Sequence, residues 1–219
     1  MALPTFYTGQ LIAPEAPNLP LAPAGSADRV YLDQLNNVLR LYFNRLNNFN
    51  QVFATNAGGA LLRFPYGAFS SGVDQSTTAN TATLMTLDTT DFSNGVTISS
   101  SKITTTIAGI YNLQFSAQLE NSGNAPYDVF IWLKQNGTDI AGSTGKVGMP
   151  ARKSPGDPFH NIVGWNYYIQ MQANDYIEIY WSTTNASVTI QYYPVSSSPT
   201  KPATQSVVAT LSFVSALVP

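Results

Sequence analysis

The sequence predicts a mainly β protein: a ten-stranded sandwich or jelly roll, preceded by an extended Pro-rich arm and one coiled-coil-forming α-helix. Three observations carry this. Pro4, Pro14, Pro17, Pro20 and Pro23 punctuate the first stretch and hold it extended. Between Leu32 and Phe53, large apolar residues recur at alternating steps of three and four, the spacing of one helix face. From about Ala60 onward the period drops to two, and short apolar runs are divided by Gly, Asn, Ser and Pro, with no second helical pattern. These changes divide the chain into an arm at 1–27, a helix at 28–55 and a head at 56–219.

Within the arm, the prolines alternate with Leu3, Phe6, Tyr7, Leu11, Ile12, Leu19 and Leu21. A solvated linker is polar, whereas this segment displays greasy side chains on a preset extended backbone. Phe6, Leu11, Ile12, Leu19 and Leu21 are therefore expected to anchor the chain on another surface, in strand-like or polyproline fashion.

Ser26 or Asp28 supplies an acceptor for the first free N–H groups of the helix, and Gly58–Gly59 ends it. The seam consists of Leu32, Leu35, Leu39, Tyr42, Leu46, Phe49 and Phe53, with the hydrated amides Asn37, Asn44 and Gln51 on the far side. From Leu32 to Phe53 the helix is about 33 Å long, and a lone helix of that size does not hold in water without burying its apolar face. Two partners satisfy it: copies of itself, or its own β-domain. The bulky rings and the apolar flank at Tyr31, Val38 and Val52 suit a core wider than a dimer's, so a trimer is the expectation.

In the head, Tyr111, Leu113, Phe115, Ala117 and Leu119 alternate with polar residues and read as a half-buried strand. Val129 to Gln135 is a second strand, and the Asn136–Gly137 pair after it carries the signature of a tight hairpin turn. An exposed Pro-rich loop is expected over 148–160. Val163 to Met171, a turn at Ala173–Asn174–Asp175 and Ile177 to Trp181 form another hairpin. Val188 to Tyr193 adds a strand, a loop spans Ser196 to Thr204, and Val207 to Phe213 closes the domain. Weaker segments at Leu61–Tyr66, Thr83–Leu87, Val96–Ile98 and Lys102–Ile107 bring the expected total to roughly ten, too many for one open sheet to bury.

Composition excludes several functions. Only 10% of the 219 residues are charged and the net charge is −2, so the basic footprint of a nucleic-acid binder is missing. There is no cysteine, hence no disulfide framework and no thiolate metal site. No apolar run approaches membrane-spanning length, and the N-terminus lacks the basic and apolar segments of a signal peptide. His160 is the sole histidine and falls in the Pro-rich loop without a nucleophile motif, so no catalytic relay is expected. The pairs Asp175/Glu178 and Asp88/Asp91 read as turn-forming or solvated carboxylates in preference to hard-cation ligands. Neither a metal nor another cofactor is expected. Phe130, Trp132, Trp165, Tyr167, Tyr168, Tyr176, Tyr180, Trp181, Tyr192 and Tyr193 fit either core and interface packing or stacking on sugar rings. Asn136–Gly137–Thr138 and Asn185–Ala186–Ser187 match the glycosylation pattern and read as turns.

The segments AGIYNLQFSAQL (108–119), VFIWLKQNGTDI (129–140), WNYYIQMQANDYIEIYW (165–181) and ATLSFVSAL (209–217) resemble the trimeric jelly roll shared by tumour necrosis factor and the globular head of complement, in the version common in phage virion proteins. The resemblance covers about residues 60–217. Upstream, LPLAPAGSADRVYLDQLNNVLRLYFNRL (19–46) and FPYGAF (64–69) resemble structural proteins of viruses infecting marine cyanobacteria. What this implies is a non-enzymatic virion protein, assembled in the host cytoplasm. It would be a homotrimer whose arms at 1–27 dock on other capsid or tail proteins and whose heads project as a decoration or short fibre. The alternative implied role is a receptor-binding, lectin-like head that recognises a host-surface glycan or protein.

Overall fold

The computed structural model describes residues 17–18, 29–54 and 64–217. The chain divides into two compact units between Arg63 and Phe64. The arm residues Phe6, Leu11, Ile12, Leu19 and Leu21, the caps Ser26 and Asp28, the Gly58–Gly59 stop, the side chain of Phe53 and most of the expected strand at 61–66 lie outside the described residues.

In the first unit, α1 spans Arg29–Ala54, 26 residues and so about 39 Å of helix. Leu35, Leu39, Tyr42, Leu46 and Phe49 are half-buried along one stripe, while Asn37, Asn44 and Gln51 are exposed. Leu32 departs from the stripe, with 43% of its surface open. Tyr31 and Val38 are half-buried instead, which moves the centre of the stripe toward them. Val30, Leu41 and Phe43 are exposed outside it.

In the second unit the described residues form fifteen strands. They are β1 Tyr66–Ser71, β2 Thr83–Leu84, β3 Thr89–Asn94, β4 Val96–Ser99, β5 Lys102–Thr105, β6 Gly109–Asn121, β7 Tyr127–Gln135, β8 Thr138–Asp139, β9 Gly145–Met149, β10 Phe159–Met171, β11 Tyr176–Thr183, β12 Val188–Ile190, β13 Ser196–Ser197, β14 Thr200–Lys201 and β15 Val207–Ser215. A six-stranded sheet runs β10-β6-β15-β1-β3, with β12 also beside β6. A seven-stranded sheet runs β4-β5-β11-β7-β8, with β2 on β11 and β9 on β7. Both are antiparallel, and β13–β14 is a separate small hairpin.

Period-two patterning builds the core between the two sheets. From the six-stranded sheet, Phe69, Tyr111, Leu113, Phe115, Ala117, Leu119, Val207, Ala209 and Leu211 are buried. They join Val129, Ile131, Leu133, Ile177, Ile179 and Trp181 of the other sheet in one cluster. Each such aliphatic side chain contributes roughly 1.5–3 kcal/mol through burial. Tyr111 donates its hydroxyl proton to the Ile107 carbonyl at 2.7 Å and accepts from Thr105. Burial pushes its phenol up, against the opposing hydrogen bond from Thr105.

The tight turn after β7 has Asn136 at φ 52° and Gly137 at φ 79°, the left-handed pair that a two-residue hairpin requires. Asn174 at φ 70° makes the turn before β11. Several expectations need correction. The first described strand is Tyr66–Ser71; of the expected 61–66 segment, Phe64 and Pro65 are described and precede it, Pro65 lacking the donor that a ladder needs. Strand β8 is the short return of the expected Asn136–Gly137 hairpin, whereas β3, β9 and the β13–β14 hairpin were not anticipated: they are two to six residues long, too short to show a period. The strand expected over Val188–Tyr193 ends at Ile190. The Pro-rich loop is shorter than expected, since β9 closes at Met149 and β10 opens at Phe159. His160 is exposed, yet it belongs to β10 and pairs with Glu120 of β6, so it is not a loop residue.

Candidate functional site

Each sheet turns one face to the core and one outward, and the two outward faces differ in chemistry. On the six-stranded sheet the register places Ile162, Gly164, Asn166 and Tyr168 of β10 against Gln118, Ser116, Gln114 and Asn112 of β6. Val208, Thr210 and Ser212 of β15 continue these rows on the other side of β6. None of these positions carries a charge. Ile162 is 66% and Tyr168 63% exposed. Toward the far edge Phe92 of β3 lies opposite Ala68 and meets the Tyr66 ring with centroids 6.1 Å apart.

On the seven-stranded sheet the outward face is aromatic and charged. Tyr180 of β11 lies opposite Trp132 of β7, and Glu178 opposite Lys134. The Asn136–Gly137 turn folds β8 back so that Asp139 faces Lys134. Four side chains then close a circuit. The Trp132 indole N–H donates to Asp139 Oδ1 at 2.8 Å, and that oxygen pairs with Lys134 Nζ at 3.3 Å. Lys134 Nζ stands 4.5 Å from the Tyr180 ring centroid, and Tyr180 meets Trp132 at 5.8 Å with planes 32° apart. Lys102 lies over Tyr176 at 4.4 Å, and Lys146 pairs with Asp128 at 2.9 Å.

Glu178 is a correction to the sequence reading. It sits in a strand with only 5% of its surface exposed, not as a solvated turn carboxylate. Its cross-strand neighbour Lys134 directs its ammonium to Asp139 and Tyr180, and among the described residues Glu178 has no ion pair within 4 Å. Asp175, by contrast, is the turn-former expected. It accepts from the Gln172 N–H at 2.7 Å, Asn136 at 2.7 Å and Gln135 at 2.9 Å. Burial raises its carboxyl, but these three bonds outweigh burial and hold it below the usual carboxylate range.

A third polar cluster joins β6, β10 and the segment after β12. Tyr193 donates to Glu120 Oε2 at 3.2 Å and lies 2.9 Å from His160 Nδ1. Lys201 stands over the Tyr193 ring at 5.6 Å. Burial first, then the Glu120 charge, pushes the Tyr193 phenol well up.

The structure sorts the aromatic set. Trp181 is core, and Trp165 and Tyr167 pack against the core. Tyr168 faces outward on the six-stranded sheet, while Phe130, Trp132, Tyr176 and Tyr180 share the outward face of the other. Sequence reasoning missed Lys102, Lys134 and Asp139 as companions of these rings. The signal was present, because the Asn136–Gly137 turn fixes the register of Asp139 against Lys134. Asn185 accepts from the Ser187 N–H at 2.9 Å, which makes its glycosylation-like triplet a turn. Asp88 and Asp91 accept from Thr89 and Ser70. Among the described residues no group of three or more His, Cys, Asp or Glu side chains is placed to hold a metal ion. No helix of the described residues is long and apolar enough to cross a membrane. No family model matches the chain, and no curated protein matches it.

Proposed function

We propose that the chain is a non-enzymatic structural protein of a phage virion. It acts as a homotrimer anchored to the capsid or tail through residues 1–27, with a jelly-roll head projecting as a decoration or short fibre. The observation that carries this reading is the outward face of the six-stranded sheet, where the paired rows from Ile162 to Tyr168 carry no charge and Ile162, Tyr168 and Phe92 are each more than 60% exposed. Exposed apolar groups grouped on one sheet face fit burial by a partner surface, and a second copy supplies one. The half-buried stripe of α1 fits the same assembly.

The jelly-roll reading has its own support. Strands β2, β8, β12, β13 and β14 have three residues or fewer. The remaining ten fall five and five into two sheets, β3-β1-β15-β6-β10 and β4-β5-β11-β7-β9. The chain crosses repeatedly between those sheets, as a jelly roll does.

Sedimentation of the full chain tests the assembly: a trimer is expected, and a monomer at micromolar concentration overturns it. Cryo-electron microscopy of purified particles tests the location. A second reading, in which the head recognises the host surface, is favoured by the rings and mixed charges that the seven-stranded sheet turns outward.

A further inference from the structure

We propose that the outward face of the seven-stranded sheet binds a neutral saccharide, with Trp132 and Tyr180 as the stacking platform and Lys134, Asp139 and Glu178 as the hydrogen-bonding rim. The proposal rests on the second reading above, in which the head recognises the host surface.

Strand register sets which side chains share the face. Residues 130, 132 and 134 of β7 and 176, 178 and 180 of β11 alternate with core positions, so their side chains share one face. Trp132 and Tyr180 are therefore neighbours across the ladder, inclined by only 32°. The Asp139 bond at 2.8 Å occupies the polar edge of the indole, so its flat faces are what it offers a ligand. That bond also limits the rotamers of the ring. A platform held before the ligand arrives loses less entropy on binding.

Charge then selects the ligand. Lys102, Lys134 and Lys146 are balanced by Asp128, Asp139 and Glu178 on or beside the same strands. An anionic polymer needs an excess of cations, and a cationic ligand needs an excess of carboxylates. A balanced set of donors and acceptors around aromatic rings suits an uncharged molecule with a C–H face and a hydroxyl edge, which describes a pyranose. Glu178 supplies a second, independent reason. It is a carboxylate with 5% of its surface exposed, and the ammonium groups beside it stand over Tyr176 and Tyr180 at 4.4 and 4.5 Å. Its oxygens are not among the buried polar atoms left without a partner, so they reach the outward face, where sugar hydroxyls donate to them without bringing another charge.

The test is titration of the full chain with neutral hexasaccharides of glucose, mannose and galactose, beside a hexamer of galacturonate, read by tryptophan fluorescence and calorimetry. At least one neutral hexasaccharide is expected to bind, and Trp132→Ala to weaken it about tenfold or more. Glu178→Gln is expected to weaken it as well, whereas Val195→Ala, at a 74% exposed position between β12 and β13, leaves it unchanged. Trp132→Phe, which keeps a ring and guards against a folding failure, is expected to fall between parent and alanine variant. No binding of any neutral hexasaccharide at about 10 mM, preference for the acidic hexamer, or a Trp132→Ala titration equal to the parent's overturns the proposal. Adsorption of the labelled protein to susceptible cells separates the two levels. If the parent adsorbs and Trp132→Ala adsorbs equally, recognition stands and this site is wrong. If the parent does not adsorb, the host-recognition reading fails, and the titrations alone decide the site.

Discussion

Asp175 shows how one side chain can tie two hairpins together. Its carboxylate takes hydrogen bonds from the Gln172 N–H in its own turn and from Gln135 and Asn136 at the end of β7. Because these bonds favour the ionised form, its folded pKa lies below that of the unfolded chain. Its stabilisation is therefore present above the unfolded value near 3.8 and is lost as pH falls through the lower folded value. Asp175→Ala is expected to cost about 1–3 kcal/mol in urea unfolding at pH 7. It should also flatten the acid limb of the stability profile, and an unchanged limb would remove Asp175 from this role. Tyr193 works at the other end of the scale. Its phenol is raised in the fold, so the chain keeps full stability below the unfolded value of 10.0 and loses it as pH rises toward the folded one. Tyr193→Phe should soften that alkaline loss, measured by unfolding at pH 8 and pH 11. At this scale the sequence was legible where a residue acts locally. Asp175 could be read from its turn, whereas the place of Glu178 and His160 depends on which strands lie beside them, and neither flanking sequence shows that.

Strands and helix were legible in proportion to their length. The 13-residue strands β6 and β10 repeat their period several times, whereas β2, β8 and β13 offer two residues each. The Asn136–Gly137 turn was readable because few pairs tolerate two successive positive φ values. For α1 the stripe was readable but its centre was not. Leu32 fits the three-and-four spacing yet is exposed, while Tyr31 and Val38 are half-buried. Over three heptads the 3.5 and 3.6 periods drift apart by only ~60°, enough to move a rim residue out of the stripe. In the proposed trimer, Leu39→Asp brings three carboxylates into the helix core, where they are costly to desolvate. Sedimentation is expected to show weakened assembly while circular dichroism keeps its β signal. Assembly equal to the parent's would rule α1 out as the seam.

At the scale of the whole molecule, the proposed role requires each part to do a separate job. In the proposal, the head's apolar face and the helix stripe are assigned to the subunit contact and the arm to the particle. Deleting residues 1–27 removes five prolines together with Phe6, Leu11, Ile12, Leu19 and Leu21, but no seam position and none of the fifteen described strands. The truncated chain is therefore expected to stay folded and trimeric and to be missing from particles. The physical reason is that prolines preset an extended backbone, which lowers the ordering cost when the apolar residues between them dock. Three arms acting together multiply the effect, since each docked arm raises the effective concentration of the next. The measurement is the amount of protein on purified particles from a deletion strain complemented with full-length or truncated chain. Normal occupancy by the truncated chain would move the anchor out of the arm and into the helix or the base of the head.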